Sequence, residues 1–386
     1  MKRNITVDYV YRFLSSFDIT SAIWVLFLAY KGMSLIEIGL LESIYHTCNL
    51  FFEIPTGAMA DLLGRRRVII LSRVASVISC LIMLNSHSFW GFAIGFVFSA
   101  FGGNLNSGSE EALVYDSLIQ ANAVDSYLTL NSRLNVLIEI AQAMAVFAGG
   151  LLAEYSFELS YSVALLISVT ALLTALQFEE PQVQAQPQQS VVSVKAHLKK
   201  CFEILKENKS LAALLLYFPL VFTFGTVLYF YGQQSFFDFG YSKIQISMIF
   251  LLNGIFSALG ALASEKINRL MKGKAWLYLP FLMSLCVIGF GYFTGGISIF
   301  IFILLNLLNA SLYPISSVYI NERTPSEQRA TIISVSSMFF SFMMILIFPL
   351  CGLIGQVFTL SQSFIIIGFL NLGIILIILI WHQSKK

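Results

Sequence analysis

The chain has 386 residues, of which 57% are hydrophobic and 11% charged, with a formal net charge of +2 at pH 7 and a mean hydropathy of +0.80. This composition excludes a soluble globular protein. Apolar runs of about 20 residues suit membrane-spanning helices, whereas barrel strands would alternate over about 10 residues. We therefore predict an all-α membrane protein with twelve transmembrane helices. The predicted spans cover residues 8–30, 35–60, 68–86, 88–115, 128–153, 158–178, 210–236, 242–264, 275–294, 297–321, 330–356 and 361–381.

Basic residues cluster on one side of these spans. If the N-terminus is cytoplasmic, all but four of the 23 Lys and Arg residues lie in cytoplasmic segments. The exceptions are Lys31 and Lys243 outside, and Arg12 and Arg133 within the membrane. The positive-inside rule thus predicts a multi-pass protein of the cell membrane with both termini in the cytoplasm. The first apolar run lacks a small-residue cleavage site, so we interpret it as the first span rather than a signal peptide.

The first span contains two ionisable residues at membrane depth. Arg12 lies about a third of the way along it and Asp18 lies near the middle, at a rise of ~1.5 Å per residue. A charged group in the bilayer requires a partner, and such groups commonly mark pathways for ions or substrates. We expect Arg12 to pair with Glu53 or with one of the acids of the fourth span.

The second span carries four polar side chains on one helical face. Glu42, His46, Asn49 and Glu53 follow one another at i, i+4, i+7 and i+11, and the other faces are apolar. Four polar groups in a row are costly against lipid. They are therefore predicted to face protein or a water-filled cavity.

A basic turn follows the second span. Residues 57–67 read Gly-Ala-Met-Ala-Asp-Leu-Leu-Gly-Arg-Arg-Arg. They resemble the signature loop between helices 2 and 3 of the major facilitator superfamily, whereas the simpler interpretation is a turn that only fixes topology. The resemblance implies two pseudo-symmetric six-helix halves, alternating access, and a gating role for the loop. The matching residues are Gly57, Asp61, Gly64, Arg65, Arg66 and Arg67.

The end of the fourth span is also polar. Residues 107–118, which include Glu110, resemble the end of helix 4 in one branch of the superfamily, and by that resemblance Asp116 would pair with the arginines of the signature loop. In a continuous helix Asn104, Ser107 and Glu111 would share one face.

The fifth span places Glu139 on a face that it shares with three amides, and Arg133 on another face. The amides are Asn131, Asn135 and Gln142. Three small residues that recur at intervals of four predict close packing against another helix. They are Ala145, Gly149 and Ala153.

The chain divides into three predicted parts: an N-terminal half (1–178), a cytoplasmic linker (179–209) and a C-terminal half (210–386). Residues 179–190 are rich in Gln and Pro and are not expected to fold. Within residues 194–206, apolar side chains would line one face of a helix and basic side chains the opposite face. This pattern fits either a helix on the membrane surface or a solvated linker helix. Gly57–Asp61 is echoed by Gly260–Ser264 at the end of the second span of the other half, as parallel repeats require.

The interiors of spans 7 to 12 contain no Asp or Glu and offer neutral polar and aromatic groups instead. Such side chains either bind a ligand or link neighbouring helices. The predicted substrate-binding residues of this half are Tyr229, Gln233, Asn253, Asn306, Asn309 and Tyr313, and those of the first half are Asp18, Glu42 and Asn49.

The uneven distribution of carboxylates predicts how transport is driven. A conformational change that breaks or forms pairs between buried acids and arginines can release or bind protons. We therefore expect a proton-coupled exporter (antiporter) of a small amphiphilic or drug-like molecule. The alternative is a proton symporter that imports a sugar, amino acid or vitamin. The predicted coupling residues are Asp18, Glu53, Glu111, Glu139, Arg12, Arg133 and His46.

The remaining expectations concern chemistry and partners. The four histidines are widely separated, and neither His-Glu-x-x-His nor Gly-x-Ser-x-Gly occurs, so an enzyme such as an intramembrane protease is not expected. A channel is disfavoured because channels seldom need a repeat of two halves. The five cysteines lack metal or redox spacing. We expect no cofactor, no metal and no nucleic acid, and a monomer that binds a small-molecule substrate and protons in a lipid bilayer.

Overall fold

The computed structural model describes residues 2–181, 206, 209–324 and 329–383. Helices account for most of this part of the chain. They are α1 Lys2–Ser16, α2 Trp24–Tyr30, α3 Leu35–Leu63, α4 Arg65–Asn85, α5 Phe89–Asn106, α6 Ser109–Gln120, α7 Tyr127–Tyr155, α8 Phe157–Ala175, α9 Lys209–Asp238, α10 Lys243–Leu270, α11 Ala275–Tyr292, α12 Gly296–Asn321, α13 Arg329–Val357 and α14 Leu360–Gln383. The predicted surface helix at 194–206 lies almost entirely outside the described residues.

Contacts group the chain into two compact units. Unit 1 comprises Met1–Phe27 and Ile44–Val192, and unit 2 comprises Leu28–Ser43 and Ser193–Lys386. The first turns of α3 therefore belong to unit 2, although they precede the rest of the second span in sequence. The predicted division into halves at residues 178 and 210 stays a prediction.

Unit 1 is built around α4, which packs against both α5 and α8. Serine hydroxyls of α4 donate to backbone carbonyls of α5, from Ser72 to Gly102 at 2.8 Å and from Ser79 to Gly95 at 2.8 Å. Small residues on α5 allow this close approach. A buried cluster, which includes Tyr11 and Phe178, joins α1 to the end of α8.

The first predicted span is not one helix, so the prediction of a continuous helix over 8–30 is wrong. Turns at residues 17–23 separate α1 from α2. The Asp18 carboxylate accepts hydrogen bonds from the Thr20 backbone N–H at 2.9 Å and the Thr20 hydroxyl at 2.6 Å. Such local side-chain bonds compete with the helical backbone pattern. Asp18 itself is exposed.

Gly149 of α7 lies directly against this turn. A Cβ at position 149 would overlap the backbone carbonyl oxygen of Ile19. Ala145 and Ala153 on the same face of α7 are fully buried. The predicted close packing of these three small residues is thus confirmed.

Gly149→Ala should lower the free energy of unfolding by about 1–3 kcal/mol, because the added methyl group displaces the backbone of residue 19. Thermal melting of the purified protein in detergent measures the change. Gly254→Ala in α10 is the matched control, since a Cβ there would meet no described atom within 4 Å. Equal melting temperatures for the two variants would contradict the role of the contact.

The fourth predicted span is also interrupted. Gly108 adopts φ 74°, and α6 begins at the next residue. A glycine adopts this left-handed conformation at little cost. The prediction that Asn104, Ser107 and Glu111 share one helical face is therefore wrong, because Asn104 belongs to α5 and Glu111 to α6.

Nine helices in the described part of the chain are long and apolar enough to cross a membrane. The predicted spans without a counterpart among these nine are the first, second and fourth. Those three spans contain most of the ionisable residues that the sequence placed within the membrane. Their polarity and the two breaks explain why length and hydropathy alone do not identify them.

Unit 2 contains α9 to α14 and the start of α3. Its α10 begins with a capping box in which the Ser242 and Gln245 side chains bond each other's backbone N–H groups. Ser311 of α12 donates to the Gly260 carbonyl at 2.9 Å, and a Cβ at Gly260 would overlap the Leu307 carbonyl oxygen. Gly260, the predicted repeat counterpart of Gly57, is therefore a close-contact glycine. Gly57 is exposed, and a Cβ there would meet no described atom within 4 Å.

Candidate functional site

A buried ion cluster joins α1 to α6 in unit 1. The Arg12 Nε donates to both Asp8 carboxylate oxygens, at 3.3 and 3.2 Å. The Arg12 Nη1 lies 3.6 Å from Glu110 Oε1. Asp8 and Arg12 are only 1% and 4% exposed. The expectation that Arg12 pairs with an acid of the fourth span is confirmed, and the acid is Glu110.

Two neutral side chains and a second arginine complete the cluster. The Asn106 amide donates to Glu110 Oε2 at 2.8 Å, and the Tyr11 hydroxyl donates to Asn106 Oδ1 at 2.8 Å. The Arg73 guanidinium carbon lies 5.6 Å from the centre of the Tyr11 ring, within cation–π range. Because α6 restarts after Gly108, Glu110 lies in its first turn while Asn106 ends α5. The amide reaches the carboxylate four residues on, across the break at Gly108.

Sequence reasoning missed Asp8. It lies at the limit of the first predicted span and was not counted as a membrane residue. The signal that identifies it is the i,i+4 spacing between Asp8 and Arg12, which places the two side chains next to each other on a helix.

The other predicted coupling residues lie elsewhere. His46 is buried, and its ring packs edge-on against Tyr45 with centroids 5.6 Å apart. The rest are all exposed side chains of unit 1: Asp18, Glu53, Glu111, Arg133 and Glu139.

The signature loop is mostly helical, so the prediction of a turn over residues 57–67 is wrong. Residues 57–63 end α3 and residues 65–67 begin α4, and only Gly64 lies between the two helices. The chain turns at Gly64, with φ 89°, and α4 begins with the three arginines. The pKa of Asp116 is raised above its usual value, mainly because the carboxyl group is partly buried. The positive charge of Arg65 opposes this rise, and the negative charge of Glu180 adds to it. The pairing of Asp116 with the arginines of the loop, which the resemblance implies, stays a prediction. The side chain of Asp61 lies outside the described part of the structure.

A close contact in unit 2 involves the first turns of α3. The Tyr231 hydroxyl donates to the Leu35 carbonyl at 2.7 Å, and the Ser43 hydroxyl donates to the Ile345 carbonyl at 2.9 Å. A Cβ at Gly39 would lie 2.5 Å from the Pro349 Cα, and a Cβ at Gly352 would overlap Leu35. The backbones of α3 and α13 thus touch because glycines line the contact.

The predicted substrate-binding residues of the first half are in different surroundings. Asn49 accepts a hydrogen bond from the Asn104 amide at 2.6 Å, so this amide is used within unit 1. Glu42 is buried in unit 2. Asp18 bonds to Thr20, as described above.

The predicted substrate-binding residues of the second half lie on α9, α10 and α12. The Tyr229 ring packs against Phe250 and Phe302, with centroids 4.8 and 6.2 Å apart. Asn253 is buried, and neither its Oδ1 nor that of Asn309 has a hydrogen-bond partner among the described residues. The three others differ in exposure: Gln233 and Asn306 are buried, and Tyr313 is exposed.

Comparison with known proteins identifies the fold. The structure of the nucleoside transporter NupG superposes with a TM-score of 0.82 at 14% identity, over 97% of this chain and 96% of that one. The D-xylose–proton symporter superposes with a TM-score of 0.70 at 13% identity, over 96% and 95% of the two chains. Similarity at this level of identity establishes the fold alone.

Sequence relatives are also transporters by name. An uncharacterized MFS-type transporter of Bacillus subtilis (strain 168), YxaM, is 23% identical over 372 residues, which are 93% of this chain and 90% of that protein. The uncharacterized transporter BU466 of Buchnera aphidicola subsp. Acyrthosiphon pisum (strain APS) is 30% identical over 118 residues, or 31% of this chain. The chain spans only 29% of BU466, and 41% of a second Buchnera transporter.

The family model of the Major Facilitator Superfamily matches residues 10–308, well over half of the chain. This match agrees with the signature loop at residues 57–67 and with the fold of the solved transporters. The chain is therefore a multi-pass membrane transporter that belongs to the major facilitator superfamily.

Proposed function

We propose that this protein is a proton-coupled secondary transporter and that Asp8, Arg12 and Glu110 form its coupling centre. The observation that carries the proposal is the buried ion cluster of unit 1. Two carboxylates share one arginine there, and Asp8 is buried while Glu110 is partly buried. A movement that separates Arg12 from Asp8 leaves a buried acid without its counter-ion, and that acid then favours its protonated form. Binding and release of a proton are thereby linked to a change in helix packing.

Alternating access supplies that movement in the proposal. The contact of Leu35–Ser43 with α13 and Tyr231 lies at the predicted outer ends of the helices and has to open when the cargo site faces outward. The signature loop, with Asp61 and Asp116, would close the cytoplasmic side in that state. The exposed acids Asp18 and Glu139 remain proposed sites for a proton or cation along the pathway.

Export by proton antiport is the proposed direction, with a small amphiphilic or drug-like cargo. The acids of the first half support it, because they can attract cationic molecules. The second candidate is proton symport that imports a small nutrient such as a sugar, amino acid or vitamin. It is favoured by the neutral amides and aromatic rings of unit 2, which suit an uncharged cargo rich in hydrogen-bonding groups.

Transport in proteoliposomes under an imposed pH gradient tests the proposal. The probes are ethidium for a cationic amphiphile, and radiolabelled uridine and D-xylose for neutral nutrients. We expect the gradient to accelerate movement of at least one probe, and the direction of the effect distinguishes antiport from symport. A gradient without effect on all three probes would count against proton coupling.

Variants then locate the coupling centre. Asp8→Asn and Glu110→Gln should abolish acceleration by the gradient while exchange without a gradient continues. Asp18→Asn and Glu139→Gln are the comparison pair, since both residues are exposed. If only the comparison pair abolishes coupling, the centre lies at the exposed acids instead.

A further inference from the structure

The helix that follows the signature loop has a cap from a distant part of the chain. Gly64, the residue before α4, has no side chain that could cap the helix. Without another acceptor, the first backbone N–H groups of α4 would lack partners. The Glu180 carboxylate accepts from the N–H of Arg65 at 2.7 Å and from the N–H of Arg66 at 2.8 Å. A carboxylate at this place is stabilised both by the two hydrogen bonds and by the helix dipole.

The close approach of Glu180 explains why position 64 is glycine. A Cβ there would lie 2.8 Å from one carboxylate oxygen of Glu180 and 3.0 Å from the other. The φ of 89° at this residue is also unfavourable for any side chain. Gly64 thus provides both the turn and the space in which Glu180 reaches the helix.

A second residue holds the chain that presents Glu180. The Asn4 Oδ1 accepts from the Glu179 N–H, and the Asn4 Nδ2 donates to the Glu179 carbonyl, both at 2.9 Å. The same Nδ2 donates to the Ser117 hydroxyl of α6 at 2.9 Å. Asn4 and Ser117 are buried, and the two bonds from Asn4 to Glu179 are partly buried. The Asn4 side chain therefore fixes the backbone immediately before Glu180.

The neighbouring ion pair is of a different kind. Arg3 and Glu179 approach to 2.6 Å, but their side chains are 60% and 56% exposed. Exposed pairs of this type contribute little to stability. Of these two contacts of Glu179, the bonds to Asn4 therefore fix the backbone more firmly than the exposed pair with Arg3 does. Although the sequence predicts an unfolded linker from residue 179, its first two residues are held by unit 1.

We propose that Asn4 and Glu180 are positioning residues of the signature loop. Asn4 fixes the Glu179 backbone, and Glu180 then caps α4 and holds Gly64, Arg65 and Arg66 in place. The N-terminal residues and the start of the linker are in this way connected to the loop, so that displacement of the linker uncaps α4. The effect on gating rests on the proposed function, whereas the effect on the loop itself does not.

Limited digestion with trypsin tests the positioning without any cargo. The signature loop offers cleavage sites after Arg65, Arg66 and Arg67, and the turn at Lys272–Lys274 in unit 2 is an internal reference. Glu180→Ala should raise the cleavage rate at the signature loop about five-fold, the factor expected from loss of one helix cap. Glu180→Gln should give a smaller increase, since its amide oxygen still accepts one bond.

Asn4→Asp tests the relay to Glu180. The substituted carboxylate cannot donate to the Glu179 carbonyl or to Ser117, so cleavage at the signature loop should rise as it does for Glu180→Ala. Arg3→Gln is the matched control and should leave both turns unchanged. Selective cleavage of the signature loop in the Asn4 and Glu180 variants supports the proposal. Unchanged cleavage, or equal acceleration at both turns, would overturn it, whatever the transport assays show.

Discussion

Arg12→Leu is expected to lower the free energy of unfolding by about 3–5 kcal/mol, because it leaves the buried Asp8 and the partly buried Glu110 without a counter-ion. In the native protein Arg12 contacts both carboxylates and is almost completely buried. Leucine fills much of the volume but offers neither charge nor donor. Thermal melting together with denaturant titration in detergent measures the loss.

The exposed pair Glu265–Arg269 in α10 provides a matched control with the same i,i+4 spacing. Its side chains are 84% and 79% exposed, and Arg269→Leu should change stability by about 0.5 kcal/mol or less. The triple variant Asp8→Asn, Arg12→Leu, Glu110→Gln should recover much of the loss, because no uncompensated charge remains. If Arg12→Leu and Arg269→Leu lower the free energy of unfolding by the same amount, the buried cluster does not stabilise the fold more than an exposed ion pair does.

Gly352→Ala is expected to open the contact between α3 and α13. The added methyl group would overlap both the Leu35 carbonyl oxygen and the Tyr231 hydroxyl, so that the 2.7 Å hydrogen bond between those two groups cannot form in its present geometry. Overpacking of this kind costs about 1–3 kcal/mol. Transport of the responsive probe should also fall, because the outer contact would not close.

Two further variants separate the loss of the Tyr231 hydrogen bond from the effect of an added methyl group. Tyr231→Phe removes only the hydroxyl and should cost about 1 kcal/mol, the usual contribution of one hydrogen bond. Gly373→Ala in α14 is the packing control, since a Cβ there would meet no described atom within 4 Å, and it should not destabilise. If Gly352→Ala melts at the same temperature as the wild-type protein and transports at the same rate, neither stability nor transport requires the close approach of α3 and α13.

The buried cluster shows where sequence reasoning succeeds and where it stops. Counting residues along the spans placed Arg12 at the depth of the acids of the fourth span, and the structure confirms such a pair. The count could not select Glu110 over Glu111, because depth does not give the direction of a side chain. That direction depends on the break at Gly108, which starts a new helix with its own rotation.

The signature loop shows the same limit. Its glycines, acid and arginines were recognisable as a pattern, but its cap was not. Glu180 and Asn4 are far from the loop in sequence, and neither belongs to a periodic face or a spaced motif. Only folding of α1, α4, α6 and α8 against one another brings these residues together.

The amino-acid sequence alone determined the class of protein, most of its spans and its family. Whether a segment enters the lipid depends on its own apolar residues, and the side on which a loop lies depends on its own basic residues. Both can therefore be predicted segment by segment along the chain. The tertiary structure decided the helix breaks, the partners of the buried charges and the contact of α3 with α13. Those features depend on packing between residues distant in sequence, where close approach of backbones and satisfaction of buried polar groups select one arrangement.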